Sequence, residues 1–125
     1  MPRILIADDD EQIRRLIRRI LEPHGHEVEE AADGREAMRL SGEPRPDVLI
    51  IDLIMPEKEG LETIREIRED CPDAKIIAIS GGGMAPSEAY LHLAERLGAN
   101  VCLPKPFGPA RLVEAVNELL EVSPA

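Results

Sequence analysis

Hydrophobic and polar positions along the chain follow two alternating rhythms. Five short segments read as strands: Arg3–Ala7 (RILIA), His26–Ala31 (HEVEEA), Val48–Asp52 (VLIID), Lys75–Ser80 (KIIAIS) and Asn100–Leu103 (NVCL). Three of them are almost unbroken runs of Ile, Leu, Val and Ala, the pattern of strands buried on both faces of a parallel sheet. HEVEEA alternates and is more polar, as an edge strand would be. Helical spacing fills the intervals. Ile13, Leu16, Ile17, Ile20 and Leu21 define one helix, closed by Pro23 and Gly25. Asp33-Gly34 opens a second, with Ala37, Met38 and Leu40. Leu61, Ile64 and Ile67 mark a third, stopped before Pro72. Tyr90, Leu93, Ala94 and Leu97 mark a fourth that ends at Gly98, and Leu112, Val113, Val116, Leu119 and Leu120 a fifth that begins near Pro109.

Five strand–helix units predict an α/β fold: a doubly wound five-stranded parallel sheet with helices on both faces and right-handed crossovers. The length of 125 residues holds one domain, and of the common doubly wound orders it fits 2-1-3-4-5. Residues 1–122 are expected to form that domain, and 123–125 a short tail with no output domain.

In such a fold ligands collect at the carboxyl ends of the strands, where the strand order reverses. The residues there are unusual. Asp8, Asp9 and Asp10 follow the first strand, Asp52 ends the third, Ser80 ends the fourth, and Lys105 follows the fifth. Strands one and three adjoin in the 2-1-3-4-5 order, so Asp8, Asp9 and Asp52 should converge, with Ser80 and Lys105 on the other flank. Asp10 also suits a helix cap. Clustered carboxylates repel unless a cation joins them. Oxygen ligands without His or Cys favour Mg²⁺, or Mn²⁺. Such an ion shares its shell with a phosphoryl oxygen, and Lys105 and the Ser80 hydroxyl can take the remaining phosphoryl oxygens. The chemistry this suits is phosphoryl transfer, with Asp52 as the nucleophile that becomes an acyl phosphate.

Composition narrows the alternatives. Apolar residues make up 43% and charged residues 32%, an ordinary globular balance, and one Phe, one Tyr and no Trp leave an aliphatic core. A formal net charge of −10 argues against a nucleic-acid surface. No apolar run is long enough for a membrane span and no signal peptide is evident, so a cytoplasmic location is expected. Cys71 and Cys102 form no ligand or disulfide pattern and read as small core hydrophobes. His24, His26 and His92 are scattered and expected at helix ends or surfaces.

The segments ILIADDDEQIRRLI, DVLIIDLIMPEKEGLETI, IIAIS and LGANVCLPKPF resemble, from end to end, the receiver domain of bacterial two-component response regulators. Members of this family themselves exemplify the 2-1-3-4-5 flavodoxin-like order, so the topology is not independent of the resemblance. The likeness implies that Asp52 accepts a phosphoryl group from a histidine kinase or phosphotransfer protein. It implies that Asp9 ligates Mg²⁺ directly, Asp8 through water, and Ile54 through its backbone carbonyl. Lys105 would contact the phosphoryl group, and Ser80 would supply the hydroxyl that moves toward it on activation. A stand-alone switch acting on an unknown downstream protein is expected, as a monomer or a phosphorylation-dependent homodimer. With Ile54 offering no polar side chain to a water, slow self-dephosphorylation is expected.

Two departures bear on signal readout. Cys102 stands where receivers often carry an aromatic residue three positions before the lysine. The loop SGGGMAPSE is about three residues longer than usual, and it suggests an ordering switch in which Gly81 and Gly82 amides bind the phosphoryl group. Two other classes stay open. Asp8 and Asp10 echo the D-x-D start of haloacid-dehalogenase-type phosphatases, but the Gly-Thr that should follow is Glu11-Gln12. Replacing Asp52 separates the receiver from the phosphatase, because only the receiver then loses its covalent phosphate; a binding module that lost phosphorylation is the other class.

Overall fold

The computed structural model describes residues 2–42, 45–53, 60–80, 87–105 and 107–121, with the backbone alone for 87–91. Its elements run β1 (Arg3–Ala7), α1 (Glu11–Leu21), β2 (Glu27–Ala31), α2 (Gly34–Leu40), β3 (Val48–Asp52), α3 (Gly60–Asp70), β4 (Ile76–Ser80), α4 (Ser87–Leu97), β5 (Val101–Pro104) and α5 (Pro109–Glu121). All strand pairs are parallel, in the order β2-β1-β3-β4-β5. The expected sheet and its order are present.

Local signals set the helix ends. The Asp10 carboxylate accepts from Gln12 N at 2.8 Å and caps α1; Asp33 caps α2 through Glu36 N at 2.8 Å. Asp10 therefore takes the capping role left open in the sequence. After α1 a 3-10 turn, Glu22–His24, carries the chain to Gly25, whose φ of 86° is one that side-chain-bearing residues avoid.

The strands alternate between two core layers. Ile4, Ile6, Val48, Ile50, Ile77 and Ile79 face the layer shared with Ile17, Leu21, Leu112 and Val116 of α1 and α5. Leu5, Ala7, Leu49, Ile51, Ile76 and Ala78 face Ala37, Ile64, Ile67 and Ala94 of α2, α3 and α4. All five residues of β3 and of β4 are buried, which explains their lack of polar alternation.

Three strands and one histidine differ from expectation. Strands β2 and β4 begin one residue later than predicted, at Glu27 and Ile76. Strand β5 is shifted to Val101–Pro104: Pro104 pairs with Ser80 at the end of an edge strand, where a missing amide is tolerated. His26, just before β2, is 6% exposed rather than at the surface. Both its ring nitrogens are buried without a hydrogen-bond partner.

Candidate functional site

Alternation along the strands places the chemistry. Asp52 has the parity of Val48 and Ile50, Asp8 that of Ile4 and Ile6, and Lys105 that of Leu103, so all three positions fall on the α1/α5 side of the sheet's C-terminal edge. Carboxylate oxygens of Asp8, Asp9 and Asp52 lie within 4.8 Å of one another. Asp8 is fully buried, Asp52 is 7% exposed, and Asp9 opens to solvent. The apolar run of β3 ends on a carboxylate because its last residue reaches this edge, beside the turn after β1.

Each oxygen of Asp8 is held. Oδ1 accepts from Asp10 N at 2.9 Å, and Oδ2 accepts from Lys105 Nζ at 3.1 Å. Lys105 Nζ also reaches Asp52 Oδ2 at 3.4 Å. Burial alone would lower the lysine's pKa. The charges of Asp52 and Asp8, with hydrogen bonds to both, outweigh it and hold the ammonium above its ordinary value. One cation thus stands against three carboxylates, and the excess negative charge in a half-enclosed site matches a hard divalent ion with oxygen ligands.

Ser80 is 2% exposed, and its carbonyl accepts from Lys105 N at 2.7 Å, tying β4 to the lysine-bearing turn. Ser80 ends β4 opposite Pro104 of β5 and follows Ile79, the residue paired with Asp52. Cys102 packs partly buried against the α2–α4 layer, near Ala94 and Leu97, and burial first, then Glu95, pushes its thiol pKa up. Ile54, Gly81 and Gly82 lie outside the described residues, as does the tail 123–125.

Two residues without a role in the sequence reading touch this cluster. Gly60 opens α3 directly against the end of β3: its amide donates to Leu53 O at 3.0 Å, and a Cβ there would overlap the Asp52 carbonyl and stand 2.6 Å from Leu53 Cα. The glycine four places after Met-Pro was its signal. Arg14 donates to the Asp8 carbonyl at 2.7 Å. Nothing in the helical pattern marks it, since it reads as one more cation on a polar face.

Fold and site together define a doubly wound α/β domain with a cation-competent carboxylate cluster at its switch point. Residues 4–117 match the response regulator receiver domain family. The chain is 40% identical over 118 residues to the chemotaxis protein CheY of Thermotoga maritima, covering 94% of this chain and 96% of that protein. It is 39% identical over 118 residues to response regulator MprA of Mycolicibacterium vanbaalenii, but spans only 50% of that relative's length. The receiver domain of NtrX from Brucella abortus superposes with a TM-score of 0.89 at 31% identity, covering 96% of this chain and 99% of that one. The chain belongs to the response regulator receiver family of two-component signalling. Among the described residues, no helix is long and apolar enough to cross a membrane.

Proposed function

We propose that this receiver is a Mg²⁺-dependent switch that takes a phosphoryl group onto Asp52 from the phosphohistidine of a histidine kinase or phosphotransfer protein. The observation that carries the reading is the meeting of Asp52 with Asp8, Asp9 and Lys105 at one strand edge. Asp8, Asp9 and Asp52 would hold the ion, with the Ile54 carbonyl as a further ligand, and Mn²⁺ would substitute. Bound there, the ion supplies charge neutralisation for the carboxylates and the transferring phosphoryl oxygens.

An Asp52 oxygen attacks phosphorus as the P–N bond to the donor imidazole breaks. The bonding pair stays on the imidazole nitrogen, and the product is an aspartyl phosphate. Lys105 remains protonated and moves its hydrogen bond from the Asp52 carboxylate to a phosphoryl oxygen. The Ser80 hydroxyl donates to another phosphoryl oxygen, and this pull on the end of β4 transmits the state toward α4 and β5. Gly81 and Gly82 amides would order around the group, and Cys102 would take the aromatic reporter's place in the switch. The protein acts as a cytoplasmic signalling switch on a downstream protein, not as a turnover enzyme. It binds neither nucleic acid nor membrane, and is a monomer or a phosphorylation-dependent homodimer.

Intact-mass spectrometry after incubation with acetyl phosphate tests this directly. A single phosphoryl adduct is expected with Mg²⁺ and none with EDTA. An adduct that forms equally without a divalent ion would overturn the metal-dependent reading.

A further inference from the structure

The acid pair is held from behind by a guanidinium. Arg14 sits on α1 with its side chain 15% exposed. Its Nε donates to Glu30 Oε1 at 3.0 Å, and its Nη1 donates to the Asp8 carbonyl at 2.7 Å. Glu30, on β2, is fixed in turn: its other oxygen accepts from Arg18 Nε at 2.8 Å, and Arg18 also reaches Glu22 at 3.0 Å. A two-ended clamp therefore runs from the β2 edge, through one planar fork, to the main chain of the metal-site turn.

The point of attachment matters. The Asp8 carbonyl belongs to the peptide that joins Asp8 to Asp9. The Asp8 amide already donates to Ala31 O at 3.1 Å, continuing the β1–β2 ladder by one step. Strand β2 ends at Ala31, and two residues on Asp33 is engaged in capping α2. Arg14 supplies a donor to the Asp8 carbonyl just where the strand runs out. With amide, carbonyl and both carboxylate oxygens of Asp8 all bonded, the peptide plane between the two acids is held, and with it the main-chain position from which Asp9 projects.

The geometry points to Arg14 as a positioning residue that orients the Asp8–Asp9 pair for the divalent ion, acting through the Asp8 carbonyl with Glu30 as its anchor. The inference rests on the Mg²⁺ reading above. It assigns Arg14 an effect opposite in sign to its charge. As a cation near the site, Arg14 disfavours a second cation, so on charge alone its removal would tighten metal binding. As an orienting group, its removal lets the peptide between the acids rotate, and binding weakens. A lysine would keep the charge but cannot hold Glu30 and the carbonyl with one fork.

Mn²⁺ titration followed by the free-ion electron paramagnetic resonance signal separates these effects in the full chain. Wild type, Arg14→Ala, Arg14→Lys and Arg15→Ala are compared, with circular dichroism melts confirming that each is folded. Arg14→Ala should weaken Mn²⁺ binding on the order of tenfold, the usual effect of losing a group that orients a metal ligand. Arg14→Lys should also weaken it, at unchanged net charge, and carries the test if the alanine variant does not fold. Arg15→Ala removes a similar charge from α1 at a surface pair with Glu11, outside the clamp, and should bind as well as wild type or better. Binding by Arg14→Ala or Arg14→Lys as tight as wild type would overturn the inference while leaving the metal site standing. Wild type that takes up no Mn²⁺ would overturn the metal reading and this inference with it.

Discussion

Lys105 Nζ lies 3.4 Å from Asp52 Oδ2, and the same ammonium reaches Asp8 Oδ2 at 3.1 Å. Two buried carboxylates from distant parts of the chain thus share one cation. Removing it in Lys105→Ala leaves both facing each other and Asp9, which should lower stability by about 1–3 kcal/mol. Mg²⁺ should then raise the Tm of the variant more than that of wild type, because the ion replaces the lost charge. Thermal melts with and without Mg²⁺ check this.

The same lysine sets an alkaline limit. Its folded pKa is raised above the ordinary 10.5, so its stabilising contribution is complete below that value and is lost as pH rises through the folded pKa. The stability gap between wild type and Lys105→Ala should be flat from neutral pH to about 10 and close above it. Urea denaturation across that range measures the gap.

His26 sets the acid side. Burial, then His24, lowers its pKa below the ordinary 6.5. The folded state therefore binds fewer protons there than the unfolded one, and the contribution is present above 6.5 and lost as pH falls through the folded value. His26→Phe removes two buried nitrogens without partners, and should add about 1 kcal/mol at neutral pH. It should also flatten the decline of Tm below pH 6.5 that is expected of wild type, which thermal melts across pH check.

Gly60→Ala tests the close approach of α3 to β3. The added carbon meets the Asp52 main chain, which cannot yield as a flexible side chain would. A loss of about 2–3 kcal/mol is expected. Displacement of Asp52 should also cut the rate of labelling by acetyl phosphate in the fraction that remains folded.

Cys102 should be a slow thiol. With its pKa pushed up by burial and Glu95, little thiolate exists near neutrality. Alkylation by iodoacetamide at pH 8 should run about tenfold or more below a free cysteine peptide, followed by mass spectrometry.

Much of this was legible in the chain. The continuous apolar runs VLIID and IIAIS announced strands buried on both faces, and helical periodicity placed four helices between strands and a fifth after the last. The acids, Lys105 and Ser80 stood out because carboxylates and a lysine at the ends of apolar runs are costly unless they act together. What was not legible depends on contacts made across the fold. The clamp from Arg14 to Glu30 joins α1 to β2, and periodicity shows only that Arg14 lies on a polar face. The burial of His26 is a tertiary outcome that its polar and exposed neighbours, Gly25 and Glu27, disguise.

The central claim is that Asp52 carries the phosphoryl group. Borohydride reduction of the acetyl-phosphate-treated protein converts an aspartyl phosphate to homoserine, and peptide mapping then reads its position. The account predicts homoserine at position 52 alone, in a Mg²⁺-dependent yield, and none in Asp52→Ala. Homoserine at position 8 or 9 in place of 52, or an undiminished phosphoryl adduct in Asp52→Ala, would contradict it.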